Sequence, residues 1–403
     1  MLTNFLREYN ANRVFLSSVG LWPFQNKIMR NFLRTFCILL EISYCPFEVI
    51  LLYDHWDDSK LVFDGLYQLT VSVGFLVRIM NDLWNYDKLQ KLYQAMDEHW
   101  DIFTNKIDVR VLKEYSTFSR KFTIYFSILL YIMSSAFIIV PLKPIFLDII
   151  LPLNESRPRF FAIELECRLD KNEHFLLLYF YTTTIIVVGI TIIVAIDTVY
   201  VISTTHACSL FASVSQQVEN MILKVNNSNK ISDHEHCMNT EFEMLEEESL
   251  YREYITCLKK HQLAIEFVDI LESSYQGFTL CLLILFIVIL ILIGIRIVYV
   301  LDQVEEVIRF AFLIIGASMI LLLVCYPCQR LMDESQNVFH RAYAAEWYNY
   351  SPRLKYLLII TLYRSNIPCG LKAGNMVPLS IATFAAVVRI GISYFTAFLS
   401  LKD

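Results

Sequence analysis

Seven stretches of this chain are apolar over the length needed to cross a membrane, and that pattern restricts the fold more than any motif does. They run, approximately, Phe32 to Tyr53, Val62 to Ile79, Phe122 to Pro141, Phe175 to Ile196, Phe278 to Val300, Val307 to Tyr326, and Pro378 to Ser400. About 20 mainly apolar residues cross roughly 30 Å of hydrocarbon, and an open chain in lipid satisfies its own backbone only as a helix. With 56% hydrophobic residues, the composition argues against a water-soluble enzyme. The expected fold is an all-α membrane protein with seven transmembrane helices. No signal peptide is expected, because Met1 to Asn31 lacks a short apolar core with a small-residue cleavage site. Only Leu401, Lys402 and Asp403 follow the seventh span, which predicts that this helix is part of the working machinery.

Orientation follows from Lys and Arg in the short flanks, which stay on the cytoplasmic side. Arg7, Arg13, Lys27, Arg30 and Arg34 oppose a single acid, Glu8, and place the N-terminus inside. Asp54, Asp57, Asp58 and Asp64 against Lys60 mark the connection after span one as external. Asp302, Glu305 and Glu306 before Arg309 do the same after span five. Arg330, Arg341, Arg353, Lys355, Arg364 and Lys372 mark the segment after span six as internal, leaving the C-terminus extracellular. The acidic loop Ile202 to Ser274 is assigned inside despite Glu246, Glu247 and Glu248, since long loops and acids weigh little in this rule. The sequon at Asn154 then falls outside and is the candidate glycosylation site, whereas those at Asn226 and Asn349 fall inside.

The organisation expected from this reading is a cytoplasmic N-terminal segment (1–31), spans one to four with their loops (32–203), and a long cytoplasmic loop with a helical extension (204–275). Spans five and six (276–326), a cytoplasmic anchor segment (327–377) and the last helix with its external end (378–403) complete it. Leu89, Leu92, Met96, Trp100 and Phe103 recur at helical intervals, as do Leu250, Tyr254, Leu258 and Phe267. They predict internal helices that extend the spans and pack together. Asn226 to Asn239, rich in Asn and Ser, reads as the least ordered spacer.

Catalytic and cofactor signatures are missing: the chain has no phosphate-binding Gly-rich loop, no nucleophile elbow and no His-Glu-x-x-His. No enzyme activity and no cofactor are expected, and a net charge of −6 without a basic stripe argues against nucleic acid. Cys325 and Cys328 have metal spacing but no second pair, and read as packing or helix-stop residues beside Pro327. His234, His236 and Cys237 lie in the polar spacer and read as solvated, so no metal site is assigned. Seven spans also suit a metabotropic receptor coupled to a cytoplasmic transducer, the alternative reading. Its usual marks are missing: span three ends at Pro141-Leu142-Lys143 and span seven has no Asn-Pro-x-x-Tyr. Glu41, Glu48, Arg78, Asp197 and Arg296 read as end charges or interhelical pairs, and without inverted repeats of paired charges a transporter is a distant third.

Ser335 and Val338, Ala342-Tyr343, Trp347-Tyr348, Leu371-x-Ala373-Gly374, Pro378-Leu379-Ser380, Phe384 and Ser393-Tyr394-Phe395 together resemble the C-terminal signature of insect odorant receptors. Asn12-Arg13 and Gly20-Leu21-Trp22-Pro23-Phe24 resemble wasp, bee and ant members of that family. The chain lacks the Gln-Phe of the related gustatory receptors, and its second internal loop is shorter than that of the obligate coreceptor. The resemblance implies a ligand-tuning subunit of an odorant-gated, nonselective cation channel in the plasma membrane of sensory neurons. It implies a heterotetramer with the coreceptor, with span seven of each subunit lining a central pore. The partners are then the coreceptor, a small volatile or hydrocarbon odorant, membrane lipid and permeant cations.

Ser393, Ala397 and Leu401 recur every four residues along one stripe of span seven. By the resemblance, Ala397 and Leu401 occupy gate positions and Ser400 a polar position beside them, although small residues also serve ordinary helix packing. Ala397 is small for a gate residue, which suits a subunit whose partner supplies most of the seal. Arg389 lies off the Leu401 stripe and is expected to pair with an acid or a carbonyl at a subunit contact. The family's ligand cavity occupies the outer halves of spans two, three, four and six. The matching candidates are Phe63, Tyr67 and Thr70; Tyr131, Met133, Ser134, Phe137 and Ile138; Tyr179, Phe180, Thr183 and Thr184; and Phe310, Leu313, Ile314 and Ala317. Each also suits contact with lipid or with the core.

Overall fold

A computed structural model describes residues 2–402 apart from 152–156, 158–160, 162, 164–165, 167–172, 233–239, 346 and 348–349. Asn154, Cys167, His234, His236, Cys237 and Asn349 therefore lie outside the described residues. A short helix α1 (Thr3–Ser18) precedes the first span, α2 (Lys27–Asp54). Then follow α3 (Ser59–Trp84), α4 (Tyr86–Ile102), α5 (Lys106–Ile139), a single turn Val140–Leu142 and α6 (Lys143–Ile150). Three long helices come next: α7 (Phe175–Ser232), α8 (Thr240–Tyr299) and α9 (Val304–Tyr343). The chain ends with α10 (Pro352–Ser365), the two-residue strands β1 (Lys372–Ala373) and β2 (Val377–Pro378), and α11 (Ile381–Lys402).

Seven of these helices, α2, α3, α5, α7, α8, α9 and α11, are long and apolar enough to cross a membrane. Local chemistry sets several boundaries. The side chains of Asn26 and Asp58 cap the first turns of α2 and α3, accepting from the backbone N–H of Ile28 and Lys60. Span seven begins at Ile381 rather than Pro378, because β1 and β2 pair antiparallel and take up Val377 and Pro378. Ser380 Oγ then accepts from the N–H of Thr383 and caps α11. Gly374, at the tip of that hairpin with φ +57°, has Leu280 so close that a Cβ would come within 2.5 Å of it. Pro327 does not stop span six: α9 runs through it as continuous helix to Tyr343. Likewise α7 continues across residue 203 and as far as Ser232, into the spacer read as least ordered, and α8 continues across residue 275.

The helices are arranged around α7, whose most apolar window is 72% buried, whereas that of α11 is only 11% buried and lies at the edge. The main core sits in the inner halves, where α1, α4, α7, α8, α9 and α10 meet. Phe5, Trp22 and Tyr93 stack there with ring centroids about 5.5 Å apart. Polar groups in this core are paired: Asn12 Nδ2 donates to Thr198 Oγ1 at 2.9 Å and to Thr123 Oγ1 at 3.2 Å, tying α1 to α5 and α7. Asp108 of α5 receives Ser213, Gln217 and Lys260 from α7 and α8. Such pairing is the condition for burying these groups at all.

Candidate ligand cavity and last helix

The outer halves of α3, α5, α7, α8 and α9 enclose a cavity of about 490 Å³. Its length follows α3, where Leu61, Asp64, Tyr67, Gln68, Val71, Gly74, Phe75 and Arg78 line it over about 25 Å at 1.5 Å per residue. Leu282, Phe286, Ile289 and Arg296 of α8 recur at helical spacing along the opposite wall. Most of the lining is apolar, with Leu130, Phe137, Ile190 and Phe312 among it, so expelling water from it favours an apolar guest.

Charge closes both ends. At the inner end Arg78 Nε and Nη2 donate to Asp197 Oδ1 and Oδ2 at 3.0 and 2.9 Å, and Nη1 donates to the carbonyl of Gly74 at 3.1 Å. At the outer end Arg296 Nε donates to Asp64 Oδ1 at 2.7 Å, and Arg309 Nη1 lies 3.5 Å from Glu306 Oε2. The expectation that Arg78, Asp197 and Arg296 form interhelical pairs matches this geometry. Glu41 differs: it is fully buried in α2 and neither carboxyl oxygen has a hydrogen-bond partner among the described residues.

The cavity brings together seven of the candidate residues: Tyr67, Met133, Ser134, Phe137, Phe310, Leu313 and Ala317. The others lie elsewhere. Phe63 stacks on Tyr299 at 5.9 Å, and Thr70 Oγ1 donates to the Leu66 carbonyl. Tyr131 meets Thr191 at 2.9 Å and lines a separate open groove with Phe15 and Ile124. Tyr179 donates to the carbonyl of Ile138, both within a small aromatic cluster around Phe175. Phe180 and Thr184 are exposed on α7, Thr183 is half-buried, and Ile314 packs against Ile293 and Phe310.

A family model described as 7tm Odorant receptor matches residues 59–391, from the start of α3 to the middle of α11. The chain belongs to this family. Odorant receptor 22b of Drosophila melanogaster is 24% identical over 159 residues, 37% of this chain and 38% of that protein. Odorant receptor 67a of the same fly is 37% identical over 75 residues, 19% of this chain and 18% of that protein. These matched stretches thus span less than two fifths of the curated relatives. In structure the chain is similar to the insect olfactory receptor OR5 from Machilis hrabei, solved in complex with eugenol, with a TM-score of 0.76, 14% identity and 99% of both chains covered. A second structure of OR5 superposes with a TM-score of 0.77 at 12% identity, which establishes a common fold. This odorant receptor is a multi-pass membrane protein, and its family comprises sensory receptors rather than enzymes.

The last helix of the receptor packs on α8 through small residues. Gly391 lies against Leu290, where a Cβ would sit 3.1 Å from the leucine, and Gly294 lies against Phe395. Ser393, Ala397, Ser400 and Leu401 fall about 180–280° around the helix from Gly391 and point away from the bundle. All four are exposed, Leu401 by 79%, and Ser400 Oγ donates back to the Ala397 carbonyl. Arg389 is exposed as well and makes no ion pair among the described residues.

Sequence reasoning missed the contribution of α8 to the cavity, together with Phe75, Gln68 and the charged outer rim. The signal for the rim was present: Asp64 and Arg296 are opposite charges near the outer ends of spans two and five. For Leu282, Phe286 and Ile289 there was none, because span five is apolar on every face.

Proposed function

We propose that this odorant receptor is a ligand-tuning subunit of an odorant-gated, nonselective cation channel that works in a tetramer with the odorant coreceptor. The observation that carries the reading is the mainly apolar cavity of about 490 Å³ in the outer half of the helix bundle. Its volume falls within the range of small-molecule sites, and its lining suits a volatile organic ligand. Tyr67, Met133, Ser134, Phe137, Phe310, Leu313 and Ala317 are proposed as contacts, joined by Phe75, Phe286 and Ile289.

Coupling to the pore runs through α8. Ile289 lines the cavity while Leu290, the next residue, contacts Gly391 of α11. A guest that fits only when the α8 wall is displaced favours the state in which α11 has moved with it, and that difference in affinity is what drives opening. On α11, Leu401 and Ala397 form the apolar constriction, which excludes ions by dewetting when the helices are close. Ser393 and Ser400 give the stripe its polar positions. The small side chain of Ala397 leaves much of the seal to the coreceptor. The exposed apolar faces of α2, α5 and α6 lie against lipid.

Patch-clamp recording tests this. Cells expressing this chain with an insect odorant coreceptor are expected to show a fast, GTP-independent cation current on exposure to volatiles, and cells with the chain alone to show none. Responses that require a G protein, with no conductance of the complex itself, would replace the channel with the metabotropic receptor.

A further inference from the structure

Three arginines line the cavity, and the hydrogen bonding of Arg78 differs from that of Arg296. Arg78 at the inner end is saturated: two nitrogens grip Asp197 and the third the Gly74 carbonyl. Arg296 at the outer end donates to Asp64 from Nε, yet its Nη1 is buried with no hydrogen-bond partner among the described residues. A buried donor without an acceptor is a costly arrangement, far more so on a charged group. Arg309 stands beside it on the same rim, and both guanidiniums lie over the ring of Phe310, at 5.5 and 5.9 Å from its centroid. Gln303 also lines this end. The outer end is therefore rich in N–H donors, while Val71, Gly74 and Phe75 and the wall from Leu282 to Ile289 are apolar.

We infer that the guest of this cavity is an elongated, mainly apolar molecule with a neutral carbonyl oxygen at one end, and that this oxygen is held at the outer rim by Arg296. The inference rests on the cavity being the ligand site. A modest rotation of the guanidinium brings its unpaired N–H onto an acceptor entering from the cavity, while Nε stays on Asp64. The charge balance selects the neutral acceptor. Asp64 and Glu306 already neutralise Arg296 and Arg309, so a carboxylate would add a third anion to two cations. A hydrocarbon fills the apolar length but leaves the donor unpaired.

A matched ten-carbon series of decane, 2-decanone and decanoic acid, applied to cells expressing the chain with the coreceptor, reads this directly. The ketone is expected to activate at concentrations about tenfold or more below those of both decane and decanoate, the difference one hydrogen bond to a charged donor makes. In the variant Asp64→Leu/Arg296→Leu, which removes the pair without stranding a charge, ketone and alkane should become equal. Decane as potent as the ketone on the unsubstituted chain would overturn the carbonyl anchor and leave the cavity as ligand site. Decanoate as the best agonist would overturn the neutral preference. Responses untouched by Ala317→Trp, which occupies part of the cavity, would overturn both the anchor and the ligand site.

Discussion

Arg78 and Asp197 have 6% and 2% of their side-chain surface exposed, so each charge depends on the other rather than on water. Removing one partner of such a pair costs about 3–5 kcal/mol, whereas removing both in favour of well-packed apolar groups is often neutral. Asp197→Ala is accordingly expected to lower the amount of receptor reaching the cell surface several-fold, measured by surface labelling, and Arg78→Leu/Asp197→Leu to restore it. A double variant no better than the single would show that the pair has a role beyond neutralisation. Proton linkage enters at His99 of α4, outside the membrane. Burial pushes its imidazole down to about 4, and its Nδ1 lies 3.1 Å from His206 Nε2. The folded chain thus resists a proton that the unfolded chain takes up near 6.5, so stability is complete above that pH and is lost as pH falls toward 4. At pH 5.5 the loss is about 1.4 kcal/mol. Thermal melts should show a lower midpoint at pH 5.5 than at 7.5, a slope that His99→Phe reduces. In-span charges such as Arg78 stood out in the sequence, but the partner lies 119 positions away, a distance only the fold closes.

Helices of the membrane region were legible from hydropathy because lipid enforces one rule on length and backbone pairing. Which face of each helix meets the cavity was harder to read. On α3, polar residues such as Tyr67 and Gln68 break the apolar run and mark the lined side. Span five has a mean hydropathy of 3.4, the highest of the seven, and offers no such contrast, so the contribution of α8 stayed hidden. Tyr131 and Tyr179 are candidates by their place in the outer halves of spans three and four, yet their hydroxyls bond Thr191 and the Ile138 carbonyl. A close approach between α7 and α3 gives the element scale its own test. A Cβ at Gly189 would lie 2.7 Å from Phe75 Cζ, and that ring lines the cavity. Gly189→Ala must displace the ring, so concentration–response curves should shift most for the bulkiest agonists and least for the smallest. An equal shift for all sizes would mean that the substitution acts on stability rather than on shape.

Within the whole molecule, α11 has the least buried apolar window of the seven spans and presents Ser393, Ala397 and Leu401 on an exposed stripe. An apolar window only 11% buried has to be covered by lipid or by other subunits. If Ala397 faces a pore shared with the coreceptor, Ala397→Cys should become sensitive to water-soluble thiol reagents during agonist exposure, with the current changing within seconds. A cysteine that stays unreactive in both states would place this face against lipid. The sevenfold span pattern was readable without coordinates. The edge position of α11 was not, since it depends on which helices the others choose as neighbours. The close pairing of Ile289 with the cavity and Leu290 with Gly391 has a consequence for variation among such chains. If the cavity is the ligand site and α11 lines the pore, recognition and output use side chains on neighbouring faces of one rod, about 100° apart, and share only its backbone. Point substitutions at 282, 286 or 289 can therefore change what is sensed without disturbing how the chain fits a common assembly, so a repertoire can widen one residue at a time while its members remain interchangeable.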